Sequence, residues 1–288
     1  MTNRPEDHST ISHETAQTVP AAFLFDVDGV ITNPVEKKVT EPELFDELAK
    51  LLSNGIPVTL NTGRSLSWML DKVIKPLEEK IKDKSQLANF LAVGEKGGSW
   101  MSYENGQWQT HVDESISVPK SLQDQVRTLI ETDFLDSMFY DESKLTMIST
   151  EMIDGFDNTV FSQRQKTLEE RMREILNSPE YQNLNLKLDP TQIATDIQNS
   201  HTGKHLGARR IVQWLTTRGV KPLHMITVGD SQSDTEMAEE LQNEFSTEFV
   251  FVNDPNKLDT SKLTNCKITQ TKKRFGEGAL EFLQSRAA

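Results

Sequence analysis

Two aspartates one residue apart, Asp26-Val27-Asp28, stand at the end of the apolar run Ala22–Val27 and are followed by Gly29. Carboxylates this close can divide a phosphoryl transfer between them. One attacks phosphorus while the other protonates the leaving oxygen. Paired acids also invite a hard cation, and oxygen ligands suit magnesium. The same residues read equally well as a turn that closes a strand.

Three other segments carry compatible chemistry. Thr62-Gly63-Arg64-Ser65 follows the run Ile56–Asn61 and opens a helical pattern. Its hydroxyl, backbone N–H groups and helix start can hold phosphate oxygens, or simply cap the helix. Gly229-Asp230-Ser231-Gln232-Ser233-Asp234 follows the run His224–Val228 and supplies two more carboxylates. Lys204, in His201-Thr202-Gly203-Lys204, precedes another helix and can neutralise a transferring phosphoryl group; the bland alternative is a solvated lysine. Four carboxylates gathered at one edge repel each other unless a cation joins them.

These segments need a frame that brings strand ends together. Runs rich in Val, Ile and Phe at Ala22–Val27, Ile56–Asn61, Asn89–Val93, His224–Val228 and Glu248–Val252 read as buried strands. Helical patterns lie between them. Leu44, Leu48, Leu51 and Leu52 share one face, with Thr40-x-x-Glu43 as a candidate capping box and Gly55 past the end. Leu66, Met69, Leu70, Val73, Ile74 and Leu77 form a second stripe, and Ala208, Ile211, Val212 and Leu215 a third. Alternating strands and helices predict an α/β fold with a Rossmann-like parallel sheet, whose ligands bind at the strands' carboxyl ends. The middle of the chain differs. The order helix, two strands, helix, two strands predicts a small inserted α+β unit with an antiparallel sheet. Its strands are expected near Ser137–Tyr140, Leu145–Thr150, Leu184–Leu188 and Ile193–Ile197. The expected division is a disordered tail over 1–20, a core over 21–110 and 201–288, and the insertion over 111–200.

Composition narrows the partners. The 288 residues carry a formal net charge of −13, which opposes nucleic-acid binding while leaving room for a small phosphorylated substrate. No apolar run of membrane-spanning length occurs, and no obligate protein partner is evident. The single cysteine, Cys266, fits a reducing, cytoplasmic setting and excludes an internal disulfide. Nucleotide-binding runs of the Gly-x-x-x-x-Gly-Lys-Ser/Thr and Gly-x-Gly-x-x-Gly kinds are missing.

Taken in order, Asp26-Val27-Asp28-Gly29, Thr62-Gly63-Arg64, Lys204 and Gly229-Asp230-x-x-x-Asp234 resemble the four motifs of the haloacid dehalogenase superfamily of phosphohydrolases. The insertion between the second and third motifs resembles the class II cap of the Cof-like and sugar-phosphate phosphatases. So does Val93-Gly94-Glu95-Lys96-Gly97-Gly98-Ser99-Trp100, with Asn105-Gly106 after it. The resemblance runs from about Ala21 to the C-terminus.

It implies Asp26 as nucleophile, Asp28 as acid then base, and Thr62 and Lys204 holding the phosphoryl group. Magnesium would lie among Asp26, the Asp28 carbonyl, Asp230 and Asp234. Gly63, Arg64 and Lys96 are expected on the substrate side. Lys96 stands where many relatives have Asn, so either it meets an anionic part of the substrate or it is a solvated loop lysine. Val30, Ser233 and His205 are further departures from the common pattern. The expected activity is hydrolysis of a small phosphomonoester, with sugar phosphates foremost. A sugar phosphomutase and an idle phospholigand-binding protein are the alternatives.

Overall fold

The computed structural model describes residues 16–286. In chain order the elements begin with β1 (Gln17–Phe25), α1 (Glu43–Ser53), β2 (Val58–Asn61) and α2 (Leu66–Met69). A π-helical turn, Leu70–Ile74, carries α2 into α3 (Lys75–Lys80). Next come β3 (Phe90–Gly94) and the hairpin of β4 (Ser99–Glu104) and β5 (Gln107–Val112). The insertion comprises α4 (Lys120–Asp133), β6 (Met138–Tyr140), β7 (Ile148–Met152), α5 (Asn158–Leu176), β8 (Leu186–Pro190) and β9 (Ala194–Asn199). The chain closes with α6 (Lys204–Thr217), β10 (Val220–Gly229), α7 (Thr235–Leu241), β11 (Ser246–Phe251), β12 (Cys266–Gln270) and α8 (Phe275–Arg286).

The fold is the expected α/β core with an inserted α+β cap. The core sheet has the order β12-β11-β10-β1-β2-β3-β4-β5. It is parallel from β12 to β3 and antiparallel through the hairpin. Strand β1 sends the chain to β2 on one side and has β10 on the other, so the order reverses at β1. Such a reversal opens a crevice at the carboxyl ends of the strands.

Alternation along the strands builds both faces of the core. Phe23 and Phe25 pack with Leu44, Leu48 and Leu52 of α1 and with Val73 and Leu77 beyond it. Ala22 and Leu24, pointing the other way, pack with Ala208, Ile211 and Leu215 of α6. The cap sheet, ordered β6-β7-β9-β8, is antiparallel throughout. One of its faces covers α4 and α5 through Met138, Ile148 and Ile197. No helix among the described residues is long and apolar enough to cross a membrane.

Two expectations need correction. The tail placed over 1–20 overlaps a strand: Gln17 to Val19 pair in parallel register with Val220 to Pro222. The polar character of Gln17 and Thr18 hid the exposed first residues of β1; residues 1–15 lie outside the described part. The capping box Thr40-x-x-Glu43 does not form. Helix α1 is preceded by Pro42, with no side-chain cap, and the Thr40 hydroxyl donates to Glu41 instead. Proline before a first turn already sets a helical φ and needs no cap partner. The strand β12 was also unanticipated, since Cys266–Gln270 is largely polar at a sheet edge.

Leu48 is fully buried at the centre of the α1 stripe. Leu48→Ala should therefore cost about 2–5 kcal/mol, read as a lowered urea midpoint.

Candidate active site

The sheet gathers the motif residues at its carboxyl edge. Asp26 is the first residue after β1, Thr62 the first after β2, and Asp230 the first after β10. Lys204 opens α6 and reaches back over the edge. Its ammonium lies 2.6 Å from Asp26 Oδ1 and 2.7 Å from Asp234 Oδ1, and donates to the Asn61 carbonyl at 2.9 Å. Asn61 Nδ2 returns a bond to the Lys204 carbonyl at 2.8 Å. Lysine and strand β2 are thus tied in both directions.

Asp26, Asp230 and Asp234 each offer an oxygen within 4.8 Å of the others. Burial, then Asp234, push the Asp26 carboxyl well above its ordinary range. The same two causes raise Asp230 to about 7. Burial also works against the charge of Lys204, but Asp234 and Asp26 outweigh it and hold that pKa above its usual value. One lysine answers three carboxylates, two of them buried and Asp230 half-buried. The residual negative charge and the all-oxygen donor set fit a hard divalent cation.

Each acid is held differently. Asp26 Oδ1 also accepts from the Val27 N–H at 2.6 Å, leaving Oδ2 without a protein donor among the described residues. Asp234 Oδ2 accepts from the N–H groups of Asp230 (3.1 Å) and Ser231 (3.0 Å) and from the Ser231 hydroxyl (2.8 Å). It is therefore the rigid floor of the cluster. Asn253 Nδ2 donates to the Asp230 carbonyl at 2.9 Å and braces that turn. Gly29 has φ +77°, and a Cβ there would stand 2.2 Å from Asp230 Oδ2. Only glycine permits both the turn and this approach.

Asp28 stands outside that trio of acids. Arg64 grips it in a fork, Nε to Oδ2 at 3.0 Å and Nη2 to Oδ1 at 2.9 Å, while the guanidinium stacks on Trp68. Arg64, expected on the substrate side, is here engaged by Asp28. Thr62 is buried, and its hydroxyl accepts from Arg64 N–H. Ser65, rather than Thr62, caps α2. Gly63 lies between Lys96 and a second lysine, Lys144, which donates to the Gly63 carbonyl at 2.7 Å.

Lys96, expected to meet a substrate anion or solvent, here meets two cap carboxylates. Asp189 is 2.7 Å away and Asp196 3.4 Å. Its neighbour Glu95 is fully buried, and its carboxylate accepts from the N–H groups of Leu145 and Thr146 and the hydroxyls of Thr146 and Ser99. Both residues adopt the left-handed backbone, with φ 50° and 54°. Sequence reading gave no role to Glu95, Asn61, Asn253 or Lys144. Asn253 follows β11, so the rule applied to β1, β2 and β10 would have found it. The others depend on contacts across the cap junction or between distant segments.

A family model described as haloacid dehalogenase-like hydrolase matches residues 23–206. The chain belongs to that family. Among solved structures, this hydrolase is similar to the C-terminal domain of trehalose-6-phosphate phosphatase from C. albicans. The identity is 15%, the TM-score 0.62, and 93% of this chain and 92% of that one are covered. A haloacid dehalogenase-like hydrolase from Bacteroides thetaiotaomicron matches at 12% identity and TM-score 0.60, covering 93% and 100%. Trehalose-6-phosphate phosphatase from Aspergillus fumigatus matches at 13% and 0.56, covering 93% of each chain. No curated protein matches. At these identities the likeness establishes the fold.

The raised Asp230 carboxyl has a consequence for stability. An aspartate in the unfolded chain loses its proton near pH 4, whereas Asp230 in the fold keeps it to about 7. The folded state binds the extra proton between those values, so this group's contribution falls as pH rises across them. Without metal, Asp230→Asn should melt at a higher temperature than wild type above pH 7. Added magnesium should raise the melting temperature of wild type and not of the variant. Thermal melts in EDTA and in magnesium check both.

Proposed function

We propose that this hydrolase is a magnesium-dependent phosphomonoesterase that acts on a small phosphorylated metabolite through an aspartyl-phosphate on Asp26. The observation that carries the reading is the meeting of Asp26 and Lys204 at 2.6 Å, beside Asp230 and Asp234. Phosphoryl transfer asks mainly for positioning and for charge stabilisation, and the cluster supplies both.

Asp26 attacks through the oxygen that lacks a protein donor, while Lys204 and the Val27 N–H orient the other. Thr62 and the Gly63 N–H receive the phosphoryl oxygens, and Lys204 balances their charge. Asp28 gives a proton to the leaving oxygen and later takes one from the attacking water. Arg64 sets the direction of that carboxylate. Asp26, Asp230 and Asp234, with the Asp28 carbonyl, would hold magnesium, which when bound supplies electrostatic stabilisation of the phosphoryl group. The cap closes over this edge through Lys96 and Glu95 and keeps bulk water out. Two of the fold neighbours are named trehalose-6-phosphate phosphatases, which supports trying sugar phosphates first.

Asp26→Asn should lower magnesium-dependent phosphate release by about 10³-fold or more, and Lys204→Met by about 10²-fold. Phosphate release and sugar isomerisation are assayed together on a hexose phosphate. Isomer without free phosphate would identify a mutase instead. Equal background in wild type and Asp26→Asn would identify a binding protein.

A further inference from the structure

The cap face opposite α4 and α5 looks onto the core, and its composition follows from strand alternation. Met138, Ile148 and Ile197 point to the helices, so Phe139, Glu151, Ser149, Asp196 and Asp189 share the other face. Phe139 and Glu151 are direct cross-strand partners, as are Ser149 and Asp196. At the Phe139–Glu151 end, a cavity of about 250 Å³ opens between this face and the segment that carries Arg64. Arg64 forms part of its wall and at the same time grips Asp28. The cavity is therefore one side chain away from the group that would protonate a leaving oxygen.

Its charges are not equally occupied. Every cation in the wall has a carboxylate: Arg64 has Asp28, Lys37 has Asp154 at 3.4 Å, and Lys144 has Asp141 at 3.9 Å. Glu151 alone among the acids there has no hydrogen-bond or ion-pair partner among the described residues. It is half-buried, and Arg64 and Lys144 are the cations that act on it most strongly. A half-buried carboxylate without protein donors is free to accept them from a ligand. Phe139 and Trp68, one face of which carries the Arg64 guanidinium, complete the wall. Acceptors beside aromatic faces suit a ring with hydroxyls at its edge and C–H groups on its flat side. An anionic leaving group would find its cations already paired and would face Glu151. At about 250 Å³ the cavity is smaller than the roughly 300 to 1,000 Å³ of pockets for drug-sized ligands, which favours one sugar ring over two.

Resting on the phosphomonoesterase reading, we propose that this cavity receives the leaving group, that the leaving group is one uncharged sugar ring, and that Glu151 determines the specificity by accepting its hydroxyls. The test compares kcat/KM with magnesium for a hexose 6-phosphate, a disaccharide phosphate, a phosphoglycerate and p-nitrophenyl phosphate. The hexose phosphate should exceed the disaccharide phosphate and the phosphoglycerate by about tenfold or more, the scale of one hydrogen bond to a charged group. In Glu151→Ala the ratio of hexose phosphate to p-nitrophenyl phosphate should fall about tenfold, with Glu151→Gln keeping part of it through its amide oxygen. A merely structural role would lower both substrates together and leave the ratio unchanged, which would overturn the proposal. So would equal use of the phosphoglycerate or the disaccharide phosphate. Release from p-nitrophenyl phosphate without those preferences removes this inference alone. No release from any substrate removes the phosphomonoesterase reading and this inference with it.

Discussion

The buried ammonium of Lys204 between Asp26 and Asp234 is the interaction on which the site depends. Three carboxylates cannot crowd one sheet edge, away from water, without a counter-charge. Lys204 is the protein's own partial answer, and it is insufficient, as the upward displacement of Asp26 and Asp230 makes plain. The fold therefore stores an electrostatic deficit at the point where a cation and a phosphoryl group would be welcome. The stability withheld there is what makes the edge receptive.

Holding that deficit in place takes backbone precision. Asp234 is fixed by two N–H groups and a hydroxyl from its own turn. Asp230 is approached so closely by Gly29 that no side chain fits. Lys204 and Asn61 exchange bonds between α6 and β2. Removing the charge problem would leave these contacts as ordinary turns, and for that reason each motif alone resembles a turn or a cap.

Cap and core are joined through two consecutive left-handed residues. Glu95 clasps the backbone of the cap segment at Leu145 and Thr146, and Lys96 clasps the cap acids Asp189 and Asp196. Non-glycine residues with positive φ are costly and persist where surroundings over-determine them. Here the strain sets both side chains at the junction, so the cap reports directly to the segment carrying Thr62 and Gly63 through the Lys96 N–H bond to the Thr62 carbonyl.

Sequence alone determined the architecture and the motif edge. Apolar runs of strand length, helical stripes at Leu44, Leu48 and Leu52, and the switch to paired strands in the middle are local patterns, legible because burial imposes its period on neighbouring residues. Asp26, Thr62, Lys204, Asp230 and Asp234 were legible because each sits at a strand end or helix start. Tertiary structure decided the rest. Whether Lys96 faces a substrate or Asp189, whether Arg64 is spent on Asp28, and whether Glu151 is left without a donor all turn on contacts between segments distant in the chain. The polar strand end at Gln17 and the polar edge strand at Cys266 were illegible for a related reason: an exposed strand end or an edge strand needs a partner strand, not an apolar pattern, to become a strand. Periodicity reports what a residue is buried against only as a face. Which charge answers which is settled when the chain closes on itself.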